Sequence, residues 1–489
     1  MKKRLGYLGL VPALTLTAMA QVVTWDIEKR ATGGSLQRRS KSAFEEIILN
    51  EKGRGGYFAT VQIGSPGQNM TMQLDTGSSD VWIPHCDATV CKSGLCMLGS
   101  FNSSSSKTFY EIGEDEFYVS YIDDKYASGD YFKDRFQIGG NDVQNLTMGL
   151  GLKTDITYGL VGVGYATNEA SKASKDSPYA NLPVAMEQNG LINSIAYSLW
   201  LNDLDANTGN ILFGGVDMGK FDGPLTKIDV ILDEDADKYT EFIVLMSSLT
   251  ATSPSGTDVL ATSESAIEVL LDSGSTLSYL PTELAQAIWK EVGAKYQVSL
   301  GMAILPCSHS AHPGHFSFGF AGDGGPTINV TMDELVIDLT NGDPPLLTSG
   351  PYAGEYLCAF GIQNYTTGTY VLGDTFLRSA YVVYDLENNQ IGLAPTKFNS
   401  TETNIVPFPS KGASIPGATA APVTSTTSPI DSVVDFPMAE TTNLKAADGF
   451  QDGDSPEESS VLGKANMLPI LLPLSISLAS AVLLSVRLL

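Results

Sequence analysis

From Gly56 the chain alternates between apolar and polar positions. Tyr57, Ala59, Val61 and Ile63 are apolar at every second residue, and Gly64-Ser65-Pro66-Gly67 then supplies turn chemistry. Met70, Met72 and Leu74 resume the alternation up to Asp75. A period of two interrupted by a turn predicts a β-hairpin. Shorter strands are predicted at Phe117–Tyr121, Gly129–Ile138 and Leu160–Gly164, punctuated by Gly, Asn and Asp. Helical stretches are few, and Pro183–Gly190 and Pro281–Tyr296 are the best; the second opens on Pro-Thr-Glu-Leu, a helix start. Another helix or strand is predicted over Ala43–Leu49.

The pattern then repeats. Ile267, Val269 and Leu271 alternate into Asp272, as Met70, Met72 and Leu74 do into Asp75. Each strand runs into Asp-(Thr/Ser)-Gly-Ser-(Ser/Thr): Asp75-Thr76-Gly77-Ser78-Ser79 and Asp272-Ser273-Gly274-Ser275-Thr276. Each is followed by an apolar segment ending in Pro, at Pro84 and Pro281. Later in each half an apolar-apolar-Gly stop appears, at Leu160-Val161-Gly162 and Val371-Leu372-Gly373. The Asp-to-Gly gaps are similar, 87 residues (162 − 75) and 101 (373 − 272). Internal duplication accounts for this, and it predicts an all-β protein of two lobes, each bringing one aspartate to a shared cleft.

The ends of the chain differ from its middle. Residues 1–20 carry Lys2, Lys3 and Arg4, an apolar run and Ala18-Met19-Ala20, which together read as a secretory signal. Residues 21–54 contain the dibasic pairs Lys29-Arg30 and Arg38-Arg39 and read as a propeptide cut after Arg30 or Arg39, its positive charge suited to an acidic cleft. The two lobes are placed at 55–205 and 206–397. Residues 398–460, rich in Ser, Thr, Pro and Ala, read as an unfolded, O-glycosylated stalk. Residues 461–489 are mainly apolar after a polar spacer. They read as a GPI-attachment signal, with Gly453 or Ser459 as the attachment residue. A retained C-terminal membrane helix is the alternative. The chain is thus expected in the secretory pathway and at the cell surface, anchored to the plasma membrane or passed to the cell wall.

Charge narrows the partners. The net charge is −26 at pH 7. Residues 1–54 hold ten Lys/Arg and five Asp/Glu, so the remaining 435 residues carry 19 basic and 50 acidic side chains, or −31. That excludes nucleic acid as the expected partner. Polypeptide substrates are expected, and a monomer. Six N-x-Ser/Thr sequons, at Asn69, Asn102, Asn145, Asn329, Asn364 and Asn399, are candidate glycosylation sites in a secreted chain. Asn69 lies close to the hairpin and to Asp75. Of five cysteines, Cys307 and Cys358 can close one loop; among Cys86, Cys91 and Cys96 at most one pair forms, and the sequence leaves the three pairings open. No spacing matches a zinc site, and Pro313-Gly314 breaks any helix that would align His309, His312 and His315. No metal or other cofactor is expected.

Two carboxylates held side by side share a proton, so one can take a proton from water while the other donates one to a peptide carbonyl. Asp75 and Asp272 are the candidate pair. Thr76 and Ser273 offer hydroxyls behind them. Gly77 and Gly274 let backbone N–H groups approach, and Ser78 and Ser275 can bond the outer carboxylate oxygens.

Over residues 55–397 the chain resembles pepsin-family aspartic proteases, in particular the fungal GPI-anchored yapsins, with similarity to candidapepsins. The resemblance rests on YFATVQIGSPGQNMTMQLDTGSSDVWIP, GNILFGGVD at 209–217, VLLDSGSTLSYLP, and YVLGDTFLRSAYVVYDLENNQIGLAP at 370–395. It implies a bilobal β-fold with Gly162 and Gly373 behind the aspartates. It also implies a hairpin flap with Tyr121 over the cleft, Trp82 packed against that tyrosine, and cleavage next to Lys or Arg. Ile122 and Asp124 depart from the glycines usual at the flap tip, and Asp123 and Asp124 suit a basic substrate. That departure keeps a second reading in view, a catalytically silent wall-binding glycoprotein on the same fold. A third makes the stalk the working part, as an adhesin.

Overall fold

A computed structural model describes residues 54–422 and 444–451, apart from 122–124, 171–177, 207, 339, 341, 349–351 and 367, together with the backbone of 23–32. The signal, the segment 43–49, the flap tip at Ile122–Asp124, the pair Arg38-Arg39, Gly453, Ser459 and the apolar C-terminus lie outside the described residues.

The fold is all-β and bilobal. A 14-stranded sheet runs through the N-terminal lobe and between the lobes, and sheets of eight and four strands build the C-terminal lobe. The predicted hairpin forms from strands Arg54–Ile63 and Gln68–Asp75, with Val61 opposite Met70 and Ala59 opposite Met72. Met70, Met72 and Leu74 are buried, as the alternation requires. The strands Tyr110–Ser120, Tyr126–Ile138 and Asn141–Thr154 complete an antiparallel meander.

In each lobe the aspartate strand pairs parallel to the strand that ends in the apolar-apolar-Gly stop. Gln68–Asp75 pairs with Gly159–Gly162, setting Asp75 beside Gly162. Ile267–Leu271 pairs with Tyr370–Leu372, setting Leu271 beside Leu372. The main chain closes both joints: Val163 N–H donates to Asp75 C=O (3.0 Å) and Asp272 N–H to Leu372 C=O (3.1 Å). The two halves of the sequence therefore fold by one local plan.

Two expected helices form with shifted ends, at Leu182–Gln188 and Thr282–Val292. The second stops early because Gly293 adopts φ +74°, a left-handed cap that glycine takes at little cost. Residues 295–297 then become a strand against Met302–Pro306. The backbone of 23–32 is a strand between Arg54–Ile63 and Thr208–Phe213, with Lys29 opposite Tyr57 and Arg30 opposite Gly56.

Packing does not stop at residue 397, where the sequence reads an unfolded stalk. Residues 405–407 pair with 215–217, and 419–420 with 226–227. Phe408, Ile415, Ala446 and Phe450 are buried. These pieces have too few apolar residues to make a core of their own. They borrow surface that the lobe has already ordered, so each sparse apolar side chain is enough.

Candidate active site

The sequence places Asp75 and Asp272 at the ends of two strands in different lobes, and the fold brings them into contact. Gly77 N–H donates to Asp75 Oδ1 at 2.9 Å and to Asp272 Oδ1 at 3.1 Å, bridging the lobes. Gly274 N–H donates to Asp272 Oδ1 at 2.7 Å. Ser78 and Ser275 each donate a hydroxyl to the second oxygen of their own aspartate, Ser275 at 2.7 Å. The glycines are required by space. A Cβ on Gly77 would lie 2.6 Å from the Asp272 carboxyl carbon, and one on Gly274 would overlap Asp75 Oδ1.

A reciprocal set of hydrogen bonds lies behind the pair. Thr76 Oγ1 donates to Leu271 C=O (2.9 Å) and accepts from Ser273 N–H (2.9 Å). Ser273 Oγ donates to Leu74 C=O (3.1 Å) and accepts from Thr76 N–H (3.2 Å). All four bonds cross from lobe to lobe and all four are buried. They fix the position of one carboxyl against the other, which neither lobe can do alone. Gln73, which the sequence reading passed over, adds a fifth link, donating from Nε2 to Gly274 C=O at 3.2 Å.

Both carboxyl groups are buried. Burial, and for Asp75 the adjacent Asp272, raise their affinity for protons above the usual carboxylate range. Like charges in contact cannot both ionise cheaply, so the proton belongs to the pair.

Tyr121 and Trp82 meet as the resemblance implies. Trp82 Nε1–H donates to the Tyr121 hydroxyl at 2.6 Å. Tyr121 N–H donates to Lys125 C=O at 2.8 Å, closing the hairpin below its tip. Asp80, also missed from the sequence, anchors the wall behind Trp82. Its Oδ1 accepts from the hydroxyls of Tyr131 (2.8 Å) and Tyr179 (2.6 Å), and its Oδ2 from Ala170 N–H (2.8 Å). The available signal was an acid embedded in a buried segment five residues after Asp75. Glu241 is a second missed acid. Its carboxyl is pushed up to about 7 by burial and by the charges of Asp272 and Asp233.

Cys307 and Cys358 form a disulfide, and among the three early cysteines Cys91 pairs with Cys96, leaving Cys86 as a thiol. Asn69, Asn145, Asn329 and Asn399 are exposed; Asn102 and Asn364 are half-buried. Asn69 is exposed although it lies within the hairpin, because it points outward where its neighbour Met70 points in. His309 and His312 do not converge on a cation. His309 Nδ1–H donates to Val292 C=O (3.2 Å) and His312 Nδ1–H to Phe450 C=O. Among the described residues, only His85, Cys86 and Asp87 cluster like metal ligands. There His85 Nδ1 already accepts from Asp87 N–H (3.1 Å) and Nε2 faces Ser103 Oγ (3.3 Å).

Comparison with known proteins agrees with this geometry. The family model of eukaryotic aspartyl proteases matches residues 56–396. The chain is 40% identical over 434 residues to the probable aspartic-type endopeptidase opsB of Aspergillus oryzae, covering 86% of each chain. It is 35% identical over 344 residues to an acid protease of Saccharomycopsis fibuligera, covering 70% of this chain and 81% of the relative. It is 31% identical over 442 residues to aspartic proteinase yapsin-3 of Saccharomyces cerevisiae, covering 86% of this chain and 82% of that one. Two aspartate loops locked across a lobe interface, and a family match over the whole two-lobed body, make this chain a member of the eukaryotic aspartyl protease family, a yapsin-like aspartic-type endopeptidase.

Proposed function

We propose that Asp75 and Asp272 are the catalytic dyad of a cell-surface endopeptidase. The observation that carries this is the Gly77 N–H shared between the two carboxyls, with their mutual contact held by the cross-lobe bonds of Thr76 and Ser273. With one proton on the pair, the ionised carboxylate accepts a proton from water as the water oxygen attacks the peptide carbonyl carbon. The protonated carboxyl donates to the carbonyl oxygen, giving a neutral tetrahedral diol. Collapse breaks the C–N bond: the protonated carboxyl gives its proton to the departing nitrogen, one hydroxyl of the diol passes its proton to the ionised carboxylate, and the other hydroxyl stays on the carboxylic acid product. The enzyme ends with one shared proton, as it began, and forms no covalent intermediate. Tyr121 lies at the base of the hairpin that would cover the substrate. Polypeptides are the substrates, and the chain acts as a monomer without a cofactor.

A preference for Lys or Arg beside the scissile bond is supported by the acidic balance of residues 55–489, −31 at pH 7. Secretion, glycosylation at the four exposed sequons and a GPI anchor near Gly453 are supported by the signal-like N-terminus, the sequons and the apolar C-terminus. Digestion of unfolded proteins at pH 4 and pH 7, with and without a pepstatin-type inhibitor, tests the function. Mass spectrometry of the products reads the preference. Inhibitor-sensitive cleavage, faster at pH 4 and enriched next to Lys and Arg, is expected. Cleavage that ignores the inhibitor would overturn the dyad, and products without basic enrichment would overturn the specificity.

A further inference from the structure

The peptide 444–451 is seated in a slot on the C-terminal lobe, separated in sequence from the rest of the described chain by residues 423–443. Its helix, Ala447–Gln451, is short and could not persist in water on its own. The slot makes it fold. Phe450 is fully buried and stacks on Phe316 with ring centroids 5.3 Å apart. Gly314 leaves the room for that ring: a Cβ there would overlap it.

The polar contacts are equally specific. Ala446 N–H donates to the buried Asp258 carboxylate at 2.6 Å, a charge-assisted bond. Ser253 Oγ donates to Ala446 C=O (2.7 Å) and Ser255 Oγ to Lys445 C=O (2.6 Å), and Gly449 N–H donates to Ser255 Oγ (2.9 Å). His312 bonds the Phe450 carbonyl. Gln451 Nε2 reaches the carbonyls of Lys290 and Glu291, both at 3.0 Å. Those two are among the last carbonyls of helix Thr282–Val292, which have no partner within their own helix.

We propose that 444–451 is a docking peptide and this slot its receptor, so that whatever follows Gln451 leaves from the surface of the C-terminal lobe. The chain is then held to the lobe on both sides of residues 423–443. Covalent attachment through residues 423–443 holds the peptide at an effective concentration on the order of 1 mM. An intrinsic Kd on the order of 10 μM therefore keeps it docked about 99% of the time. On the reading that the chain is anchored beyond residue 451, the catalytic body is held at its anchor, and a cut within 423–443 does not by itself set it free.

The test uses the full chain with a site for a specific protease inserted within 423–443. After cutting, at protein concentrations of about 100 μM, the C-terminal fragment is expected to co-elute with the lobes in size-exclusion chromatography. In Phe450→Ala it is expected to separate, with activity on a soluble peptide unchanged. Gly314→Ala is expected to release the fragment too, from the receptor side. If the unsubstituted fragment separates as readily as Phe450→Ala, the docking is overturned. If Phe450→Ala stays bound, the slot's specificity is overturned. Should Phe450→Ala lower the thermal midpoint of the lobes, hydrogen exchange decides: faster exchange confined to 446–451 and the end of helix Thr282–Val292 supports docking, and faster exchange throughout contradicts it. Release of the protein from cells by a phospholipase tests the anchor separately.

Discussion

Replacing Thr76 by Val removes one hydroxyl and nearly preserves shape. Thr76 is buried, and its Oγ1 both donates to Leu271 C=O and accepts from Ser273 N–H, each at 2.9 Å. The valine methyl can do neither. Leaving a buried N–H unsatisfied costs about 1–3 kcal/mol, and loss of the bond to Leu271 costs about 0.5–1.5 kcal/mol. The added methyl returns about 0.8 kcal/mol of burial. The net expectation is a loss of about 1–3 kcal/mol, small enough for the fold to survive. Ser273→Ala is expected to cost a similar amount, since Ser273 makes the mirror-image pair of bonds. Because the two residues belong to one buried network, the double variant is expected to depart from the sum by about 0.5–3 kcal/mol. Urea unfolding at pH 4 reads the stability, and peptide hydrolysis reads the catalysis. Activity should fall further than stability explains, since misplacement of reacting groups by about 1 Å can cost 100-fold. Wild-type stability and kcat/KM in Thr76→Val, or strict additivity in the double variant, would refute the reasoning.

Gly274→Ala places a methyl against Asp75 Oδ1 and is expected to lower kcat at least 100-fold, measured on a peptide substrate, while the protein still folds. Trp82→Phe removes the donor to the Tyr121 hydroxyl and leaves a buried phenol without that partner. It should raise KM several-fold with a smaller change in kcat, read from steady-state kinetics. Stability should fall as pH rises. Burial pushes the Glu241 carboxyl up to about 7 and the Glu169 carboxyl up to about 9, and raises Asp75, Asp272 and Asp80 as well. A carboxyl that holds its proton more tightly when folded contributes fully below its unfolded pKa, near 4. It loses that contribution as pH climbs through its folded pKa, at about 1.4 kcal/mol per pH unit for each proton involved. Thermal midpoints should therefore drop from pH 4 to pH 8, and a flat or rising profile would contradict the burial argument.

The features legible in the sequence were those set by local pattern and repetition. The alternation before Asp75 and Asp272 and the glycines after them follow from strand pleating and close backbone approach, and two copies named the pair. Gln73, Asp80 and Glu241 were not legible, because the tertiary fold sets their surroundings: Gly274 bonds Gln73, Tyr131 and Tyr179 bond Asp80, and the charge of Asp272 acts on Glu241. The disulfide of Cys91 with Cys96 was one of three open pairings for the same reason. The segment 444–451 shows the limit most clearly. Its composition suggests no core, and one phenylalanine orders it because Gly314 and Phe316 have already made the slot.

The paired carboxyls are tested most directly by substituting them one at a time. Asp75→Asn and Asp272→Asn keep size and much of the hydrogen bonding but cannot share a proton. Each single variant, shown folded by its unfolding transition, is predicted to lose at least 1,000-fold in kcat on a peptide substrate between pH 3 and pH 7, with the double variant little worse than either. Full activity in either folded single variant would contradict the account.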